Sequence, residues 1–140
     1  MAAVLAVVAA LVLATALGLW LRRSGRRLAR TPSAVSDAAL APGDLGGPLG
    51  ERATLVQFSS AFCQPCRATR RVLDEVSSQV EGVRHVEIDA ESHLELVRRL
   101  DIRRTPTVLV LDAAGRIVRR ASGQPRTVDV VAALGAAVDA

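Results

Sequence analysis

No charged side chain occurs between Met1 and Leu21, and five arginines (Arg22, Arg23, Arg26, Arg27, Arg30) follow at once. A run of Ala, Val and Leu this long has no polar face to turn to water. About 20 residues at roughly 1.5 Å each span the ~30 Å hydrocarbon core of a bilayer. Trp20 closes the run where an indole sits among headgroups, with the arginines just beyond. A cleaved signal peptide would carry basic residues ahead of a shorter apolar core, then a small-residue cleavage site. Here only the terminal amine precedes the run, and Leu19-Trp20-Leu21-Arg22-Arg23 is a poor cleavage context. The expectation is an uncleaved single-pass transmembrane anchor over residues 1–21. The positive-inside rule then places the arginines and all that follows on the cytoplasmic side, with extracytoplasmic placement as the alternative. The same cluster suits anionic headgroups.

The 140 residues have room for one small domain beyond such an anchor. The formal charge of +4 is local. Setting the five clustered arginines aside leaves 13 of the 18 basic residues, all Arg, against 14 acids. With aromatics at only 2%, the chain is poor in platforms for base stacking, so nucleic acid is not an expected partner. Half the residues are apolar, which excludes a disordered chain.

Residues 22–50 form an Arg-rich juxtamembrane segment and then a stretch with Pro32, Pro42, Pro48, Gly43, Gly46, Gly47 and Gly50. No periodicity is sustained there, so it reads as a linker. From residue 51 the pattern changes. Residues 53–58 and 83–88 read as strands, and 63–80 as an amphipathic helix bearing Ala68, Val72, Leu73, Val76 and Val80. Residues 91–100 read as a second helix with Leu94, Val97 and Leu100 on one face. Thr107–Leu111 is an aliphatic strand suited to burial on both faces. Asp112-Ala113-Ala114-Gly115 turns the chain into a strand at 116–121. A last helix over 125–138 would bury Val128, Val131, Leu134 and Val138. The order βαβαββα, with right-handed crossovers, gives an α/β fold: a four-stranded mixed sheet with helices on both faces.

Cys63 and Cys66 are the only cysteines. A bridge across two residues closes almost no loop, so a structural staple gains little. Zinc wants four ligands, and neither His85 nor His93 has metal-ligand spacing to the pair. The pair lies where a strand gives way to a helix. The helix's unpaired N–H groups and partial positive charge favour a thiolate there. Cys63 is therefore expected to be the nucleophile, and Cys66, one turn on, the resolving thiol that attacks a mixed disulfide. Pro65 suits a first helical turn because its missing N–H is not needed.

Residues 51–140 resemble the thioredoxin family. The match rests on Cys63-Gln64-Pro65-Cys66 after a strand, Val86-Glu87-Ile88-Asp89, Thr105-Pro106-Thr107, Gly115 and Gly123. The resemblance implies that Pro106 is cis beside the dithiol. It also implies that the backbone of Thr105 pairs with a substrate peptide as an added strand. No cofactor beyond a redox-active Cys63–Cys66 disulfide is implied, and no metal. The extra strand and helix that begin full-length thioredoxins are not evident, so the expected fold is a minimal version.

Three departures bear on chemistry. Phe62 stands where the family usually has Trp. The spacer is Gln64-Pro65 in place of Gly-Pro. Gln57, six residues before Cys63, occupies the position of the family's buried acid, which takes the proton of the resolving thiol; an amide cannot. His85 is a candidate replacement acceptor near neutral pH, against the plainer reading of a strand histidine with no role, and Glu87 is a second candidate. Arg67, Arg70 and Arg71, with Arg98, Arg99, Arg103 and Arg104, read as solvated helix faces. If they flank the dithiol, they would favour an acidic partner surface.

The expected function is a membrane-tethered thiol-disulfide oxidoreductase that reduces client disulfides. Its expected partners are protein thiol or disulfide clients, a protein or thiol electron donor, and the membrane. A redox sensor or adaptor, whose disulfide state controls binding without turnover, is the alternative. A Cu(I)-carrying pair of thiolates would not need Pro106.

Overall fold

The computed structural model describes residues 1–24, 29–30 and 38–139. Its elements are α1 (Ala2–Ser24), β1 (Ala29–Arg30), α2 (Pro42–Leu45), β2 (Ala53–Ser59), α3 (Gln64–Gln79), β3 (Val83–Asp89), α4 (Leu94–Arg99), β4 (Thr107–Asp112), β5 (Ile117–Ser122) and α5 (Thr127–Val138). The strands lie in the order β1-β5-β4-β2-β3, with only the β2–β3 pair parallel. The expected four-stranded mixed sheet is present, extended at the β5 edge by the two residues of β1.

Alternation along β2 divides the core. Val56 and Phe58 face one way, joining Val86, Ile88, Leu109 and Leu111 beneath Leu96 and Leu100 of the α4 region. Ala53 and Leu55 face the other way, with Val108, Val110 and Ala121 against Leu73 and Val76 of α3 and Val130 and Leu134 of α5. Gln57 continues this second, α3-facing series as a fully buried amide where the pattern calls for an aliphatic.

Helix faces differ from expectation in two places. In α5 the buried residues are Val130, Ala133, Leu134 and Ala137, while Val128 and Val131 are more than half exposed. In α4, Leu96 is buried and Leu94 exposed. Both helices have apolar residues on more than one side, so periodicity alone admits two rotations.

The Pro/Gly stretch is a linker in composition but packs on the domain from residue 38 onward. Leu40 and Leu45 are buried in the α4-side core, and Ala39 bridges Arg116. Leu40 N–H donates to Gly115 O at 2.9 Å. Gly115 has φ +81°, and a Cβ there would meet Leu40 O at 2.3 Å, so only glycine admits this contact.

Among the described residues, no helix is long and apolar enough to cross a membrane. Side chains of α1 are described within the helix only over 7–20. The large apolar ones there, from Val7 and Val8 to Leu19 and Trp20, are each more than half exposed. The side chains of the arginine cluster and residues 31–37 of the expected linker lie outside the described residues.

Candidate active site

The first turn of α3 and the end of β2 create the site. Cys63 is the N-cap of α3, extended at φ −84°, ψ 97°, with a proline in the helix's first turn. Cys63 is joined to Cys66 as a disulfide, their Cα atoms 5.3 Å apart. The two sulfur-bearing residues are not equivalent. Cys63 is partly exposed, whereas Cys66 is 2% exposed. A thiolate at Cys63 would lie at the end of a sixteen-residue helix, where the unpaired N–H groups stabilise negative charge. Phe62, just before it, is 97% exposed and leaves a bare apolar ring beside the disulfide.

The Thr105–Pro106 peptide bond is cis. Pro106 is buried, and its carbonyl accepts the Gly123 N–H at 2.7 Å. Thr105 is brought to the active-site loop by its hydroxyl, 2.9 Å from that of Ser60.

Behind the disulfide runs a chain of hydrogen bonds. Gln57 Nε2 donates to Cys66 O at 2.9 Å and to Ser59 Oγ at 2.8 Å. Ser59 Oγ donates to Glu87 Oε1 at 2.6 Å, and Arg70 clamps both carboxylate oxygens from Nη2 (2.8 Å) and Nε (2.6 Å). Burial pushes the Glu87 carboxyl up, but the Arg70 and Ser59 hydrogen bonds outweigh it and hold the group below the usual glutamate range. A cavity of about 410 Å³ adjoins this chain, lined by Cys63, Cys66, Arg67, Arg70, Glu87 and Asp89, among others. The hydrogen bond from Ser92 Oγ and the Glu91 N–H keep the Asp89 carboxyl low as well.

The structure therefore brings Cys63, Cys66, Gln57, Thr105 and Phe62 to one place, with Gln64 and Pro65 exposed in the first turn of α3 between the sulfurs. It does not bring His85 there. His85 Nδ1 lies 2.6 Å from Asp74 Oδ1. Asp74 is eight residues beyond Cys66 on α3, about 12 Å along the axis. Of the arginines, Arg67 and Arg70 line the cavity, whereas Arg99 pairs with Asp44 and Arg103 with Asp101. Arg104 donates to Ser122 O. Ser59 and Ser60 were not evident as site residues. Ser59 follows Gln57 on the α3-facing side of β2, and that alternation was the available signal. Among the described residues, no group of three or more His, Cys, Asp or Glu is placed to hold a metal.

Residues 49–135 match the family model for thioredoxin. The chain is 31% identical to a thioredoxin of Synechocystis sp. over 101 residues, covering 71% of this chain and 91% of that one. It is 27% identical to thioredoxin 1 of Nostoc sp. over 74 residues, 52% of this chain and 69% of that one. In three dimensions it is similar to the short form of thioredoxin f from spinach chloroplast, with a TM-score of 0.58 at 20% identity over 73% of this chain and 88% of that one. A dithiol loop capping a helix, in this sheet and among these relatives, makes the chain a member of the thioredoxin family and a thiol-disulfide oxidoreductase.

Proposed function

We propose that the protein is a membrane-tethered reductase of client disulfides. The observation that carries the reading is the unequal exposure of two sulfurs at one helix end, Cys63 at the surface and Cys66 beneath it. The Cys63 thiolate attacks one sulfur of a client disulfide, forming a mixed disulfide and expelling the other sulfur as a thiolate that takes up a proton. Cys66 loses its proton and attacks the Cys63 sulfur. The Cys63–client bond breaks, the client leaves as a thiolate, and the Cys63–Cys66 disulfide forms. Two electrons pass to the client, and a protein or small-molecule thiol returns them.

The cis Thr105–Pro106 segment, tied to Ser60, supports strand-like docking of the client backbone at Thr105. Phe62 offers the client an apolar contact, and Gln64 and Pro65 complete the surface around Cys63.

The tether rests on the sequence alone: the uncharged run to Leu21, Trp20 at its end and the arginines that follow. The positive-inside rule orients the redox domain to the cytoplasm. A membrane-impermeant thiol reagent applied to intact cells tests this directly. Reduced Cys63 stays unlabelled until the membrane is permeabilised if the domain is cytoplasmic; labelling of intact cells overturns that placement. Recovery in the soluble fraction after lysis, without detergent, overturns the tether. Failure to accelerate reduction of a protein disulfide by a small thiol overturns the reductase.

The uncharged Gln57 favours one second reading, a redox sensor or adaptor for which slow release of a partner is tolerable. One stoichiometric, non-covalent partner dependent on the disulfide state would mark it.

A further inference from the structure

The Gln57 side chain can donate two hydrogen bonds and accept two, and the oxidised protein makes only the two donated ones. Its orientation is fixed by its neighbours. The Ser59 hydroxyl has one proton, which goes to Glu87, so Ser59 Oγ accepts from Gln57. Cys66 O is a carbonyl and also needs a donor. Both N–H bonds of the amide are thereby committed, and Gln57 Oε1 is a buried acceptor with no donor among the described residues. Reduction creates a new buried donor on the residue whose carbonyl Gln57 already holds: the S–H of Cys66.

We propose that Gln57 is a positioning residue that accepts the Cys66 S–H and keeps this sulfur a neutral thiol in the mixed disulfide. Client release then waits for hydroxide reaching Cys66 through the adjoining cavity. The inference rests on the dithiol reading above and adds what governs its second step. Hydroxide removes the Cys66 proton as water, the thiolate attacks the Cys63 sulfur, and the client departs with the electron pair of its bond to Cys63.

The charged groups around Cys66 leave this route standing. On α3, Arg67 and Arg70 are cations. On β3, Glu87 is clamped by Arg70, and Asp89 is bonded to Ser92 and Glu91 N–H. His85 is engaged by Asp74 about two turns down the helix. Arg104, beside the cis-proline segment, is bonded to Ser122 O, and Arg126 at the start of α5 pairs with Asp129. β2 contributes only the neutral Gln57 and Ser59 to this face. A hydrogen bond to the neutral form, added to burial, disfavours the thiolate.

An aromatic disulfide that releases a coloured thiolate separates the steps. Full-length reduced protein in detergent micelles should release one equivalent as Cys63 attacks and a second as Cys66 resolves. The second phase should rise about tenfold per pH unit from about pH 6 to about pH 8, tracking the thiolate fraction of a group titrating above that range. In Gln57→Glu, a carboxylate replaces the amide, and the second phase at about pH 6 should be at least about tenfold faster with a shallower slope. In Cys63→Ser, ultraviolet absorbance titrates Cys66 alone and should show a midpoint above the ordinary value of about 8.5.

A second phase independent of pH, a Cys66 midpoint below about 7.5, or an unchanged profile in folded Gln57→Glu would each overturn the inference while leaving the dithiol reading intact. Release of one equivalent or none would defeat that reading itself. If Gln57→Glu does not fold, the wild-type slope and the Cys66 titration decide.

Discussion

Ser60 Oγ lies 2.9 Å from Thr105 Oγ1, so the loop that leads into Cys63 is fastened to the cis-proline segment 45 residues away in the chain. On the docking mode proposed above, the reactive sulfur and the backbone that would pair with a client are tied to each other by this hydroxyl pair, in addition to the β2–β4 pairing.

Thr105→Val keeps the side-chain shape and removes that bond. One hydrogen bond of this kind contributes about 1 kcal/mol, so kcat/KM for a protein disulfide should fall about fivefold. The first-phase rate with a small aromatic disulfide, which needs no strand pairing, should not change. Steady-state and single-turnover kinetics on the same preparation check both.

His85→Gln should leave the pH profile of the second, resolving phase unchanged. His85 meets Asp74 well below Cys66 on α3. A profile that loses an inflection near neutrality would restore His85 as the proton acceptor.

Leu40→Ala should destabilise the domain by about 2–5 kcal/mol, the range for an emptied leucine site in a core. Leu40 is 1% exposed, so the segment around it is part of the fold. Denaturant unfolding gives the measurement; a midpoint equal to that of wild type would return residues 38–50 to the status of a free linker.

Acid should weaken the fold through Asp112 and Glu87. Burial pushes the Asp112 carboxyl up, but the N–H groups of Arg116 and Ala114 and the Arg116 guanidinium outweigh it and hold it below the usual aspartate range. A carboxyl lowered in the folded state stabilises fully above its unfolded value and loses that contribution as pH falls through the folded one. Stability should therefore drop below about pH 4. Asp112→Asn should cost about 1–3 kcal/mol at neutral pH and show a smaller acid loss than wild type. Denaturation midpoints across the acid range check the sign.

Much of the sheet was legible because β2 and β4 are aliphatic runs bounded by turn residues, and Asp112–Gly115 carries the chemistry of a tight turn. The strand-to-helix position of Cys63 was legible for the same reason. Rotation of α5 was not, since Val128 and Val131 form as good a stripe as Val130, Ala133, Leu134 and Ala137. Burial of Leu40 was hidden because its contacts are made across the hairpin, with no local period to report them. His85 is suggested by its place on the second strand, where the family often carries a Lys near the buried acid, and by imidazole chemistry, but register decides reach. His85 pairs with Leu55 and Glu87 with Gln57, so only the latter lies level with the sulfurs.

Protein disulfide challenge of the single-cysteine variants is the most direct measurement of the roles assigned to the two sulfurs. Full-length Cys66→Ser, mixed with a protein disulfide, should accumulate a covalent adduct whose peptide map places the link at Cys63, and Cys63→Ser should accumulate none. An adduct through Cys66, or no adduct with either variant, would contradict the assignment.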